Sequence, residues 1–150
     1  MPPLRGNSIV KMGWEQTDGT RAVFSDYKGK VLILDFYATW CIPCRDSIPH
    51  LIGLQKKYES QGLQVVGLNV GGPGDEQQVP AFAKELGIQY PLAKPDNDLV
   101  GLLLSDSNAI PQTFVFDRKG KLVKRFIGFD AEQSESIDRA VENALSTSAP

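Results

Sequence analysis

One run of residues limits what this chain can fold into more than any other: Val31-Leu32-Ile33-Leu34-Asp35-Phe36-Tyr37. A strand that faces water on one side alternates apolar and polar residues, whereas this run is apolar almost throughout. That is the pattern of a central strand covered on both faces, as in α/β sheets. Asp35 is its single charged member. An unpaired buried anion costs several kcal/mol, so a carboxylate placed there has its pKa raised and tends to hold its proton. Asp35 is therefore a candidate functional residue.

The patterns on either side build an α/β order. Residues 9–24 hold two alternating stretches around Thr17-Asp18-Gly19, a tight-turn signal, and read as a β-hairpin. Residues 43–61 repeat apolar side chains at helical spacing, with Gly62 as the stop and Pro49 as a kink inside. A second buried strand is expected over 63–70 and helices over 76–86 and 98–104. A hairpin of strands 113–116 and 122–127 turns at Asp117-Arg118-Lys119-Gly120, and an amphipathic helix covers 131–145. The expected fold is α/β, a central mixed β-sheet flanked by helices on both faces. The length fits one domain over residues 1–150, with frayed ends at 1–7 and 146–150. Gly71-Gly72-Pro73-Gly74 lacks the lysine of a phosphate-binding loop and reads as a flexible turn.

The chain has two cysteines, Cys41 and Cys44, three positions apart. A bridge closing so short a loop restrains little of the unfolded chain, so the pair is poorly placed as a staple and well placed as chemistry. If the strand ends near Tyr37 and a helix begins near Ile42, Cys41 occupies the helix N-terminus. Free backbone N–H groups and the positive end of the dipole favour a thiolate there. Cys41 is then the nucleophile and Cys44, one turn inside, its resolving partner. Pro43 suits the first helical turn and stiffens the link between the sulfurs, and Trp40 covers one side. A structural zinc site takes about four ligands, which two cysteines and the single histidine, His50, do not supply. His50 reads as a surface or packing residue. The net charge of −2 is spread along the chain and leaves no basic footprint for nucleic acid or anionic membrane. No stretch approaches the roughly 20 apolar residues of a spanning helix.

Residues 30–45, which include Trp40-Cys41-Ile42-Pro43-Cys44-Arg45, resemble the thioredoxin superfamily, and in particular its TlpA/ResA-like branch of bacterial thiol-disulfide oxidoreductases. Pro49, Leu68-Asn69-Val70, the run Ile110-Pro111-Gln112-Thr113-Phe114-Val115-Phe116-Asp117 and Gly128 extend the match over about residues 18–145. The resemblance implies a thioredoxin fold with an N-terminal β-hairpin and a central αβ insertion over 71–109. It also implies dithiol-disulfide exchange by Cys41 and Cys44 without metal or organic cofactor. The substrates would be protein or peptide disulfides, with electrons from an upstream protein donor. The Ile110–Pro111 bond would be cis, leaving the Ile110 backbone free to pair with a substrate peptide beside the sulfurs. Trp40, Ile42, Pro43, Ile110, Pro111 and Gly128 would form that docking surface, and Asp35 would accept and return the Cys44 proton. A monomer is expected, acting in the bacterial cell envelope or periplasm after removal of a signal or anchor, with a cytoplasmic role as the alternative.

The chain departs from its relatives in two places. The TlpA/ResA-like branch carries a glutamate three residues after the second cysteine, where this chain has Ser47. Thioredoxins face the buried aspartate with a lysine, where this chain has Gly67. Without that cation, desolvation alone acts on Asp35. A proline second between the cysteines, the aspartate, and the isoleucine before Pro111 all resemble reductants, so reduction of protein disulfides is the expected direction. A disulfide oxidant or isomerase is one alternative. A copper- or metal-binding thioredoxin-like module is the other, although the copper handlers of this superfamily space their cysteines one residue further apart.

Overall fold

The structure, a computed structural model, describes residues 9–147. Seven strands form one mixed sheet: β1 (Gly13–Gln16), β2 (Arg21–Val23), β3 (Val31–Tyr37), β4 (Leu63–Asn69), β5 (Leu92–Pro95), β6 (Gln112–Phe116) and β7 (Leu122–Ile127). Their order across the sheet is β2-β1-β5-β4-β3-β6-β7. Helices α1 (Ile42–Tyr58), α2 (Val79–Leu86), α3 (Asn97–Leu103) and α4 (Ala131–Ser146) complete the α/β arrangement expected from the sequence.

β3 spans the expected residues, and all seven are buried. Its central place requires this, since it runs parallel to β4 on one side and antiparallel to β6 on the other. Side chains alternate between the two faces. Val31, Ile33 and Tyr37 join a core with Leu51 of α1 and Ile137 and Val141 of α4, whereas Leu32, Leu34 and Phe36 pack with Trp14, Leu99 and Phe114. By that alternation Asp35 belongs to the α1 face.

Helix α1 and its exit follow the sequence closely. Tyr58 leaves the helical region, a 3-10 turn over Glu59–Gln61 follows, and Gly62 at φ +102° reverses the chain into β4. Only glycine adopts that conformation without strain. Pro49 lies inside α1 and has no N–H to give the carbonyl one turn back.

The segment between β4 and β6 carries α2, β5 and α3, the αβ insertion that the resemblance implies. β5 pairs in parallel with β4, with Gly67 opposite Leu92, and antiparallel with β1, with Trp14 opposite Pro95. The N-terminal hairpin therefore joins the sheet through the insertion. Asp96, just after β5, secures the joint by accepting from the Gly13 N–H at 3.0 Å and holding the Arg21 guanidinium at 2.6 and 2.8 Å.

Several boundaries differ from expectation. The hairpin strands are shorter than 9–24 because residues 9–12 form a turn closed by the Met12 N–H on the Ile9 carbonyl at 2.9 Å. The helix expected over 76–86 opens as a 3-10 turn, Asp75–Gln78, after Gly74 at φ +84°. α4 continues through Ser146, so the frayed end expected from 146 does not begin there. The remainder of the expected frayed ends, 1–7 and 148–150, lies outside the described residues.

Candidate active site

β3 delivers the chain to a short turn at 38–41, and α1 begins with Cys41 as its N-cap, in an extended conformation (φ −87°, ψ 112°). Cys41 and Cys44 form a disulfide, with their Cα atoms 5.3 Å apart. The Cys44 N–H donates to Cys41 Sγ at 3.3 Å, so a backbone donor of the first turn is aimed at that sulfur. Pro43 sits in the same turn, where its missing N–H costs nothing. Of the two, Cys41 keeps 5% of its surface exposed and Cys44 none.

Across from the pair, the Ile110–Pro111 bond is cis. The Ile110 carbonyl oxygen lies 3.9 Å from Cys41 Sγ, a contact only, since a disulfide sulfur has no proton to donate. The Gly128 N–H donates to the Pro111 carbonyl at 2.8 Å. Buried Gln112 donates to the Ser107 and Ala109 carbonyls at 2.8 and 2.9 Å, fixing the approach to Pro111. Trp40 and Ile42 flank Cys41 as the two most exposed large apolar side chains described, at 63% and 74%. The structure thus gathers Trp40, Ile42, Pro43 and Ile110 around Cys41, and joins Gly128 to Pro111 behind them.

Asp35 is fully buried, and among the described residues neither carboxylate oxygen has a hydrogen-bond partner. Burial pushes its pKa up to about 7, and the Thr113 side chain, its register neighbour on β6, acts in the opposite direction as the lesser cause. Its neighbour on β4 is Gly67. A Cβ at Gly67 would lie 2.5 Å from Leu92 Cδ2, 3.3 Å from Tyr37 Cε1 and 3.4 Å from Tyr90 Cε1. The space of the thioredoxin lysine is therefore filled by two tyrosines and a leucine. The hydroxyls of Tyr37 and Tyr90 are buried without a partner among the described residues. Burial raises both phenols, and the negative charge of Asp35 adds to it. At Ser47, where the branch has its glutamate, a buried hydroxyl donates to the Cys44 carbonyl at 3.1 Å and brings no acid.

Sequence patterning gave no hint of Asp75. It is buried in the 3-10 turn ahead of α2 and accepts from the Thr39 N–H at 3.0 Å, the Thr39 hydroxyl, and Asn69 Nδ2 at 2.8 Å. Burial alone would raise its carboxyl, but these donors hold it below the usual range. The turn at 71–74, expected to be flexible, is pinned at its first residue: Gly71 donates to Asn69 Oδ1 at 3.1 Å and accepts from Trp40 Nε1 at 3.0 Å. His50 takes a packing role as expected, 2.7 Å from Asp138 and against the Phe129 ring. Among the described residues no group of three or more His, Cys, Asp or Glu is placed to hold a metal, and no helix is long and apolar enough to cross a membrane.

Fold and site together define a thioredoxin-fold oxidoreductase with a Cys-x-x-Cys redox centre. A solved thiol:disulfide interchange protein of the thioredoxin family from Chlorobium tepidum TLS shares the fold at a TM-score of 0.78 and 29% identity, over 97% of this chain and 100% of its own. The AhpC/TSA family matches residues 6–125, and the chain belongs to that family. Among curated relatives, the thiol-disulfide oxidoreductase ResA of Bacillus subtilis (strain 168) is 37% identical over 123 residues, 82% of this chain and 67% of the relative. That of Geobacillus kaustophilus (strain HTA426) is 33% identical over 119 residues, 79% of this chain and 66% of the relative. The chain spans about two thirds of the length of these curated relatives. The expected thioredoxin fold, ResA-like kinship and thiol-disulfide oxidoreductase class stand with these likenesses.

Proposed function

We propose that the chain reduces protein or peptide disulfides by dithiol-disulfide exchange. The observation that carries this is the asymmetry of the pair. Cys41 caps α1 and meets solvent beside the Ile110 backbone, while Cys44 is sealed on the sheet face to which Asp35 belongs.

In the reduced protein the Cys41 thiolate attacks one sulfur of the substrate disulfide. A mixed disulfide forms and the first substrate thiolate leaves. Asp35 accepts the Cys44 proton, and the Cys44 thiolate attacks Cys41 Sγ. The second substrate thiolate leaves and the Cys41–Cys44 disulfide closes, the state seen here. Two electrons pass to the substrate, so the exchange is complete without metal or organic cofactor, and a dithiol protein upstream restores the pair. Trp40, Ile42, Pro43, Ile110, Pro111 and Gly128 hold the substrate chain beside Cys41, the Ile110 backbone pairing with it in the manner of an added strand. The ResA likeness supports the cell envelope as the compartment, tested by fractionating source cells. The working unit is a single chain, tested by light scattering.

The experiment is reduction of insulin disulfides in the presence of dithiothreitol. The wild type accelerates it, Cys41→Ser abolishes the acceleration, and Cys44→Ser traps the mixed disulfide. Equilibration with glutathione then fixes direction. A potential near about −270 mV fits a reductant, and one near about −120 mV, typical of strong oxidants, overturns the direction.

A further inference from the structure

The surface beside Cys41 is built on a buried carboxylate. Trp40 is mostly exposed, yet its ring is held, because Nε1 donates to the Gly71 carbonyl at 3.0 Å. Gly71 is fixed in turn by its N–H on Asn69 Oδ1 at 3.1 Å, and Asn69 Nδ2 donates to Asp75 at 2.8 Å. Asp75 also takes the backbone N–H and the hydroxyl of Thr39, the residue just before Trp40. A Cβ on Gly71 would fall within van der Waals overlap of Asp75 Oδ2, so this close approach requires glycine. One carboxylate thereby joins residues 39–40, ahead of α1, to residues 69–71, ahead of α2.

Such an arrangement has a use at an exposed aromatic. A ring that rotates freely loses that freedom when a ligand docks on it, and a ring already held loses less. Hydrogen bonds to an ionised carboxylate are the stronger kind, so the hold is firm. We propose that Asp75 and Gly71 are positioning residues that latch the Trp40 ring as a preset docking surface for the peptide carrying the substrate disulfide. The chemistry that fits is an extended segment with an apolar side chain next to its cysteine, because Trp40 and Ile42 present exposed apolar surface on either side of Cys41. This rests on Cys41 being the attacking sulfur.

The test uses the full chain with insulin as the disulfide probe and dithiothreitol as electron source. Asp75→Asn removes the charge that strengthens these bonds and, with its amide nitrogen at the place of Oδ1, turns the Thr39 hydroxyl from donor into acceptor. Gly71→Ala displaces the carboxylate, and Trp40→Phe exchanges the indole for a smaller ring without the N–H. Each is expected to raise KM about three- to tenfold with kcat held within about twofold, the signature of lost binding common to ground and transition states. Asp75→Asn should add nothing further in a Trp40→Phe background. The chain has two tryptophans, Trp14 and Trp40, so in a Trp14→Phe background fluorescence reports Trp40 alone. Its time-resolved anisotropy should gain a fast component when Asp75 becomes Asn. The latch is overturned by an unchanged KM in Trp40→Phe, by a loss of kcat at constant KM, by additivity of the two substitutions, or by an unchanged anisotropy decay. If an Asp75 variant fails to fold, the anisotropy decay of Trp40 in the Trp14→Phe protein decides the matter, because a large fast component there would show a ring that nothing holds. A wild type that reduces no insulin disulfide overturns the proposed reduction instead, and the anisotropy measurement still judges the latch.

Discussion

Asp35 joins the folding of this chain to its chemistry. Its carboxyl moves from 3.8 to about 7 because burial penalises the anion. The native state therefore binds this proton more tightly than the unfolded chain does. The contribution to stability is full below about pH 4 and is lost as pH rises through about 7. A difference of about three pH units corresponds to roughly 4 kcal/mol above neutrality. Asp35→Asn removes the titration at nearly constant shape. Its urea midpoint should be flat between pH 5 and 8 where that of the oxidised wild type falls, and a wild type that gains stability over this window would contradict the assignment. If Asp35 also takes the Cys44 proton, the same variant slows decay of the mixed disulfide on the order of 100-fold in stopped flow and loses the limb of the rate profile near pH 7. The sequence exposed Asp35 because a charge inside an apolar strand is a local anomaly. It marked Gly67 as a missing lysine but could not show why: Leu92, Tyr37 and Tyr90, distant in the chain, fill that space. Gly67→Ala should accordingly cost about 1–3 kcal/mol by overpacking, read from the denaturant midpoint.

At the scale of elements, what was legible is what local patterning controls. β3 has its full buried run, β6 and β7 turn at Gly120 with φ +81°, and α4 starts on Asp130, which accepts from the Gln133 N–H at 2.8 Å. What stayed hidden depends on contacts between distant segments. Nothing in residues 92–95 says that they carry the N-terminal hairpin, and nothing after Gly71-Gly72-Pro73-Gly74 says that Asp75 turns back to Thr39. Arg118 is a further case, since in sequence it is one residue of a turn signal. In the structure its guanidinium donates to the carbonyls of Gly29 at 3.1 Å, Gln61 at 2.8 Å and Leu145 at 3.1 Å. It thereby ties the loop before β3 to the ends of two helical segments, whose last carbonyls lack intrahelical donors. Arg118→Ala leaves those carbonyls to water and should destabilise by roughly 2 kcal/mol, a fall of about 4–8 °C in Tm for a chain of this size. Lysine at 118 should recover only part of this in a thermal melt, because one ammonium cannot span three carbonyls.

For the whole molecule, the sheet supplies a rigid scaffold and the disulfide closes only a short loop past the carboxyl end of β3, so reduction should leave the fold standing. How far stability changes on reduction is tied to the direction of electron flow by a thermodynamic cycle. Unfolding the oxidised and reduced forms differs by the difference between the potentials of the unfolded and folded pairs. If the folded pair is the more reducing of the two, the oxidised protein must be the more stable. Each 30 mV of that difference contributes about 1.4 kcal/mol. The surroundings of the pair favour this sign. Arg45, the cation of the first turn of α1, is drawn off by Glu85 at 2.6 Å and lies over the Phe82 ring, so its charge is largely answered before it can stabilise the Cys41 thiolate. Asp35, on the face that α1 covers, opposes a second negative charge at Cys44 whenever it is ionised. The urea midpoint of the disulfide form should therefore exceed that of the dithiol form, by a margin that widens as pH rises through about 7 and Asp35 ionises. Paired unfolding curves with and without dithiothreitol measure it with no substrate present. The reverse order, with the dithiol form more stable, is what an oxidant requires, and it would turn the proposed reductase into a donor of disulfides.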